Sequence, residues 1–343
     1  MMEEKLQLVK KIAPDLTEEL IKRYRVLKTV RLLQPCGRRL VVLSLGMTER
    51  TVRSEIERLS AQNLVHVSKI GMSLTEEGIE VLDGLEDVFS ALTGLSILEE
   101  RLTDALSAQR VLIAQGDSDG SERAKKEMGQ LAARVLAEST NPEQRIAIAG
   151  GSAMAELVQA ATEAAVPMAK MVLPARGSIG RRLELQADTL AAKLAEKLQA
   201  DYRLLHLPDN LSDSVLEEMK KDPDIAETIQ EMERANLLLL GVGNALELAE
   251  KRHLDEGIRK QLEEEGAVAE ACGYYFDRAG RVVYETCSIG IDFNDIEQMD
   301  RIIVVAGGKR KAESLLAVSR SIPNGIFVTD EGAALEMLRL AGK

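Results

Sequence analysis

Apolar residues recur at helical intervals over the first hundred positions and then change rhythm. Val26, Leu27 and Val30 lie at helical spacing in KRYRVLKTVR, whose other face is basic, and predict a helix over residues 22–31. Pro35 and Gly37 interrupt it. A short helix over 38–45 is expected to end at Gly46, a residue suited to the left-handed turn that closes helices. Thr48 then stands as an N-cap and Glu49 complements the dipole of a helix over 49–60, with Val52, Ile56 and Leu59 on one face. Val65 and Val67 alternate with His66 and Ser68, Gly71 turns the chain, and Met72 and Leu74 alternate back, which reads as a two-stranded wing. Helix, glycine turn, polar-faced helix and wing is the order of a winged helix-turn-helix. Thr75 caps a further helix. Ile79, Leu82, Leu85, Val88 and Leu92 then mark an amphipathic helix, with Gly84 inside it, that links this head to the body and has a face for pairing with a twin or for packing on its own domain.

From about residue 100 short apolar runs alternate with helical patterns. Strands are expected over 111–114, 146–149, 171–173, 202–207, 235–240, 302–306 and 325–328. Helices are expected over 121–137, 153–164, 185–198, 224–234, 311–320 and 331–340. Such alternation means an α/β body, a doubly wound, mostly parallel sheet covered on both faces. The chain thus divides into a winged-helix DNA-binding domain (1–78), a linker or dimerisation helix (79–100) and a ligand-binding and oligomerisation domain (101–343).

Composition sharpens this picture. The 343 residues are 45% hydrophobic and 3% aromatic with no Trp, so the cores are aliphatic. Cys36, Cys272 and Cys287 are odd in number and lack CxxC spacing, which favours a reducing compartment over a disulfide frame. The start of the chain lacks the apolar run of a signal peptide, and the longest apolar stretch is too short to span a bilayer; a cytoplasmic protein without membrane partners is expected. Residues 1–74 carry 14 Lys+Arg against 8 Asp+Glu, a net of +6; the whole chain stands at −12, which leaves −18 for residues 75–343. A basic head is suited to a polyanion, and an acidic body repels DNA at large. On the helix over 49–60, Arg50, Ser54 and Glu57 lie opposite the apolar face, flanked by Thr51, Arg53 and Arg58, with Thr48 at the end that enters the groove. These side chains suit base edges, while Arg38, Arg39 and Lys69 suit phosphates. The bland alternative is a helical cap with a solvated charged face.

In a parallel sheet, ligands sit at the carboxyl ends of the strands. Four strand ends carry chemistry. In IAIAGGSAMAEL, Gly150, Gly151 and Ser152 lie between strand and helix, where backbone amides and the helix terminus suit an anion; no Lys-Ser/Thr follows as in a Walker loop. In VLPARGSIG, Arg176 and Gly177 follow a strand, and a guanidinium grips phosphate bidentately. In IVVAGGKRKAES, Gly307 and Gly308 precede Lys311 in the first turn of a helix, where a cation calls for an anion nearby. Gly241 and Gly243 in LLLLGVGNALE are like a dinucleotide fingerprint but lack its third glycine. Together these loops point to a small ligand with at least one phosphate. His66, His206 and His253 show no metal spacing, no catalytic triad is legible, and neither metal nor cofactor is expected.

The motifs GRRLVVLSLGMTERTVRSEIERLSAQNLV, GMSLTEEG, GDSDGS, VLPARGSIG, ACGYYFDRAG, IVVAGGKRKAES and VTDEGAALEML resemble, in order and over nearly the whole chain, the SorC-type family of sugar-binding transcriptional regulators, and within it the regulators of central glycolytic genes. The resemblance implies an N-terminal winged helix and a C-terminal domain similar to glucosamine-6-phosphate deaminase and ribose-5-phosphate isomerase. It implies repression of a glycolytic operon, relieved by fructose-1,6-bisphosphate, with dimers joining into tetramers on operator DNA. Carried over by position, one phosphate falls to Gly150, Gly151, Ser152 and Ala153, closed by Gly307, Gly308 and Lys311. Arg176 and Gly177, with Gln186 and Arg252, serve the other phosphate or the sugar, and Glu270 its hydroxyls. Ala153 departs from the pattern, which has a second hydroxyl residue there. The rival reading is a phosphosugar isomerase or deaminase-like enzyme with Glu270 or Asp330 as its base.

Overall fold

A helix that begins at Pro14 loses nothing by the missing N–H, because the first amides of a helix have no partner within it. The computed structural model, which describes residues 2–161, 168–177, 182–208 and 212–342, places this helix, α2 (Pro14–Leu33), after α1 (Met2–Ile12). It is longer than the spacing of its buried residues predicts. α3 (Arg38–Leu45) ends at Gly46, whose φ is 64° and whose N–H donates to Val42 O. α4 (Glu49–Ala61) starts at Thr48, whose hydroxyl accepts from the Thr51 amide at 3.2 Å. The wing is β1 (Val65–Val67) antiparallel to β2 (Met72–Leu74). Cys36 extends it as a one-residue bridge to Met72, with reciprocal bonds of 3.1 and 2.8 Å. Val30, Val41, Val52, Leu59, Val65 and Met72 close the core of this head.

The helix expected to run on to residue 100 is instead three: α5 (Glu76–Gly84), α6 (Glu86–Thr93) and α7 (Leu95–Leu106). Gly94, with φ 80°, closes α6 and turns the chain. Of the face marked for pairing, Leu82 and Leu92 are buried within the head while Ile79, Leu85 and Val88 remain half-buried, and the ring of the neighbouring Phe89 stacks on Tyr24 of α2 at 3.7 Å. The chain divides into two compact units, Met1–Leu98 and Glu99–Lys343, and the division falls inside α7.

The second unit opens with β3 (Arg110–Ala114) and α8 (Glu122–Ser139), then β4 (Arg145–Ile148) and α9 (Ser152–Ala160), β5 (Met171–Pro174) and α10 (Ala187–Leu198), and the short β6 (Asp201–Tyr202). α11 (Asp213–Met219) and α12 (Pro223–Glu233) lead to β7 (Leu237–Leu240). β8 (Gly243–Asn244), α13 (Ala245–Lys251), α14 (Glu256–Glu264), β9 (Ala267–Ala271), β10 (Tyr274–Asp277), β11 (Val282–Glu285) and α15 (Phe293–Gln298) follow. β12 (Arg301–Val305), α16 (Ala312–Ser321), β13 (Ile326–Asp330) and α17 (Glu331–Leu340) complete it. The main sheet runs β3-β13-β12-β7-β4-β5-β6, with the pairings parallel. Each of its strands answers to one expected from the apolar runs, although β6 covers only one of the six positions predicted, Tyr202. Ile146, Ile148, Leu237, Leu239, Ile303 and Val305 alternate onto one face under α8, α9 and α10, while Leu238, Leu240, Val304 and Phe327 are buried on the other. The end of the helix predicted over 153–164 lies outside the described residues beyond Ala161.

A second, antiparallel sheet, β11-β10-β9-β8, was not legible from periodicity. Its strands are four or five residues, or two in β8, and AVAEA carries no apolar alternation. Its effect is positional. β8 leaves the end of β7 almost at once and pairs Gly243 with Glu270, so it brings β9 to the carboxyl edge of the main sheet.

Two glycines of the head separate space from helix propensity. A Cβ on Gly78 would lie 2.1 Å from the Leu64 carbonyl oxygen, whereas one on Gly84 meets nothing within 4 Å. Gly78→Ala should therefore destabilise the head by about 1–3 kcal/mol. Gly84→Ala should be neutral or stabilising by up to about 1 kcal/mol. Hydrogen exchange of the α4 and wing amides checks both.

Candidate ligand site and nucleic-acid interface

The strand order reverses between β7 and β4, and a parallel sheet opens a crevice at such a point. Ile148 of β4 lies opposite Leu239 of β7 and Pro174 of β5. Gly150 and Gly151 therefore leave the sheet between Gly241 and Arg176. Gly151 has φ 116° and ψ 167°, a conformation open in practice only to glycine, and its N–H donates to Leu185 O at 2.9 Å. α9 then begins at Ser152, and no side chain caps it. Gly150 packs so closely that a Cβ would sit 2.8 Å from Leu185 O. That contact sets Gln186, the N-cap of α10, beside the glycines, so two helix N-termini converge there. Ala153, in the first turn of α9, presents only its backbone amide.

Arg176, Arg252 and Glu270 form a second group. Arg176 is buried; one Nη donates to Cys272 O, the other to Thr286 Oγ1 at 2.7 Å and Thr286 O at 3.3 Å. Gly273 makes room for it: a Cβ there would fall 1.3 Å from Arg176 Nη1. Glu270 Oε1 accepts from Arg252 Nη2 and from the Gly273 amide, each at 2.5 Å. Burial pushes the Cys272 thiol up to about 11, with Arg176, Glu270 and Arg252 all acting on it, which places the three charges around one point. Gly177 donates to Ile289 O at 3.1 Å, and residues 178–180 of its motif lie outside the described residues.

The third group is the loop after β12. Its amides point at carboxylates of the same chain: Gly308 N–H at Asp330 Oδ2 (2.7 Å), Arg310 N–H at Asp119 Oδ2 (3.0 Å) and Lys309 N–H at Asp117 Oδ1 (3.4 Å). Asp330 also accepts from Ser118 and Ala333 at 2.8 Å each, so both oxygens are used in holding loops and capping α17. Sequence reasoning missed these acceptors because they lie 22, 191 and 192 positions away; the one signal was the paired aspartates of GDSDGS. What the loop offers an anion is thus the Lys311 ammonium. Burial, with Lys251 and Arg310 nearby, holds it below the usual lysine range, against the opposing pull of Glu247 and Asp119. Glu247 and Lys251 belong to α13, whose C-cap is Arg252, so one helix touches the surroundings of both groups. Neither base of the rival enzyme reading is at liberty: Asp330 caps a helix and Glu270 holds Arg252. Among the described residues no group of three or more His, Cys, Asp or Glu is placed to hold a metal, and no helix is long and apolar enough to cross a membrane.

On the head, Arg38, Arg39, Thr48, Arg50, Arg53, Glu57 and Lys69 are exposed, and Thr51 and Ser54 half-buried. A groove of about 640 Å³ between α4 and the wing is lined by Arg38, Arg53, Glu57, Ser60 and Lys69, which unites predicted phosphate and base contacts. Arg53 pairs with Glu57 at 3.5 Å. Arg58 lies elsewhere: it bridges Glu19 of α2 at 2.9 Å and Glu55 at 3.5 Å, in a network with Arg23. It is nonetheless exposed, with 55% of its side chain accessible.

Residues 20–89 match the family described as "CggR N-terminal DNA binding domain", and residues 90–339 the family described as "Putative sugar-binding domain". The Central glycolytic genes regulator of Bacillus subtilis is 37% identical over 338 residues, 98% of this chain and 99% of that one. The solved structure titled "putative SorC family transcriptional regulator from Enterococcus faecalis" is 31% identical with a TM-score of 0.65, covering 70% of this chain and 99% of that one. The full-length sorbitol operon regulator SorC of Klebsiella pneumoniae shares the fold at 18% identity, with a TM-score of 0.65 over 89% of this chain and 94% of that one. These relatives are transcriptional regulators rather than enzymes. A DNA-binding head and a sugar-binding body, in that order and at that identity over nearly the full length, mean that the chain belongs to the central glycolytic genes regulators of the SorC-type family.

Proposed function

We propose that this transcriptional regulator represses a glycolytic operon and is released or remodelled by fructose-1,6-bisphosphate. The observation that carries the reading is the crevice between β7 and β4. There the uncapped amides of α9 converge with the N-terminus of α10, and in this reading Lys311, after β12, and the Arg176–Arg252–Glu270 group supply the charges around the ligand. A doubly phosphorylated sugar has anions for both kinds of donor and hydroxyls for Glu270. Arg176 and Glu270 each have protein partners. Binding then exchanges those bonds for bonds to ligand and shifts the loops that carry them. Dimers that join through their bodies into a tetramer on operator DNA would feel that shift. A coupling of about 1–3 kcal/mol changes DNA affinity roughly 5- to 150-fold.

Titration of operator complexes with fructose-1,6-bisphosphate should change their stability or stoichiometry. A melting-temperature screen of phosphorylated sugars should single out the bisphosphate. Unchanged complexes at saturating ligand would end the effector reading. Lys311→Ala should weaken bisphosphate binding by about 10- to 100-fold, the range for a lost charged hydrogen bond. Because burial depresses the Lys311 pKa, an incoming anion should raise it. Binding should therefore take up protons in alkaline buffer and weaken as pH rises, which calorimetry in two buffers measures. On the head, Arg50→Ala should cost about 1–3 kcal/mol of operator affinity without loss of stability. Arg58→Ala should instead lower the stability of the head; equal loss of DNA affinity in both, with folding intact, would contradict that division of labour.

A further inference from the structure

One face of the small sheet carries a row of four opposed residues. β8, β9, β10 and β11 set Gly243 against Glu270, Glu270 against Tyr275 and Tyr275 against Tyr284. Opposed residues of antiparallel strands share a face, so the row runs across the sheet away from the end of β7. α13 and α14 cover that face, where Tyr275 packs with Ala245, Ala249 and Leu262. Arg252, the C-cap of α13, reaches the same layer and donates to Glu270. Tyr274 lies on the other face, tilted against Phe293, and its hydroxyl donates to Ile291 O at 3.2 Å.

The Tyr275 hydroxyl is the odd group in this layer. The side chain is fully buried, its ring meets that of Tyr284 edge-on at 5.7 Å, and its Oη has no hydrogen-bond partner among the described residues. Phenylalanine would fill the same space without a buried hydroxyl left unbonded, which is costly. Burial raises the pKa of the phenol and keeps it protonated, and Arg252 and Glu270 are the charges that act on it most. The hydroxyl thus stands beside the ion pair that an incoming sugar would divide. A buried guanidinium that loses its carboxylate needs another acceptor. We propose, on the phosphosugar reading of the site, that Tyr275 is a positioning residue: its Oη accepts from Arg252 when Glu270 turns to the hydroxyls of the sugar. That bond holds Arg252 in place and satisfies the phenol, so the exchange of Glu270 from cation to ligand costs less. Tyr275 lies one strand beyond Glu270 and is fully buried, so it acts through Arg252 rather than on the sugar itself.

Tyr275→Phe in the full chain separates this role from a structural one. Its affinity for fructose-1,6-bisphosphate, read by calorimetry, should fall roughly tenfold, while its melting temperature without ligand should be no lower than that of the wild-type chain. Tyr274→Phe, which removes a bonded hydroxyl from the other face, should melt lower and keep its affinity. The chain has five Tyr and no Trp, so its near-ultraviolet absorption reports tyrosine. The bisphosphate should give a tyrosine difference spectrum in the wild-type chain and in Tyr274→Phe, and none in Tyr275→Phe. Unchanged affinity in Tyr275→Phe overturns the proposal and leaves the regulatory reading standing. So does an equal loss of affinity in both variants, or a lower melting temperature of Tyr275→Phe with affinity intact, which would make the hydroxyl a partner of buried water. A wild-type chain that neither binds the bisphosphate nor is stabilised by any phosphorylated sugar overturns both.

Discussion

At the open edge of a parallel sheet the ladder stops serving backbone amides, and each loop that leaves a strand must find acceptors for its own N–H groups. This chain meets that demand in two ways. After β12 the amides of Gly308, Lys309 and Arg310 turn to Asp330, Asp117 and Asp119, so a glycine loop that looks suited to phosphate is closed by carboxylates of its own chain. After β4 no side chain caps α9, and the glycines are held by a backbone bond from Gly151 to Leu185. The two loops differ in this one respect: the amides of the first are met by carboxylates, while the helix that follows the second has no side-chain cap.

Charge burial follows the same logic. Glu270 and Arg252 are buried together, and removing one member of such a pair leaves an uncompensated charge that costs about 3–5 kcal/mol. Arg176 is satisfied by carbonyls at the β9–β10 turn and the end of β11, which ties the small sheet to the end of β5. A ligand that competes for these groups acts on the joint between two sheets, a route from a small anion to a change in shape. Charge is divided in the same sense, with −18 over residues 75–343 and +6 over the head that matches a DNA-binding domain.

Repetition of a simple pattern was legible at once. The helix-turn-helix and wing followed from Val52, Ile56 and Leu59 on one face, Gly46 and Thr48 at the caps, and alternation on either side of Gly71. The seven strands of the main sheet followed from their apolar runs, because a strand buried on both faces has no alternative composition. The glycines and cations of the candidate site were likewise visible as strand-end residues, since the carboxyl edge is where a parallel sheet exposes its loops.

What the sequence alone determined are the properties set by neighbours within one turn or one strand: periodicity, caps, turns and the division into a basic head and an acidic body. Tertiary structure decided the rest, because it depends on groups far apart in the chain. Asp330 and Asp119 occupy the Gly308 loop, Glu19 of α2 pairs with Arg58, and Gly273 yields its volume to Arg176. Whether a carboxylate, a carbonyl or an incoming phosphate answers a given donor is a question of distance in space, and no spacing along the chain encodes it.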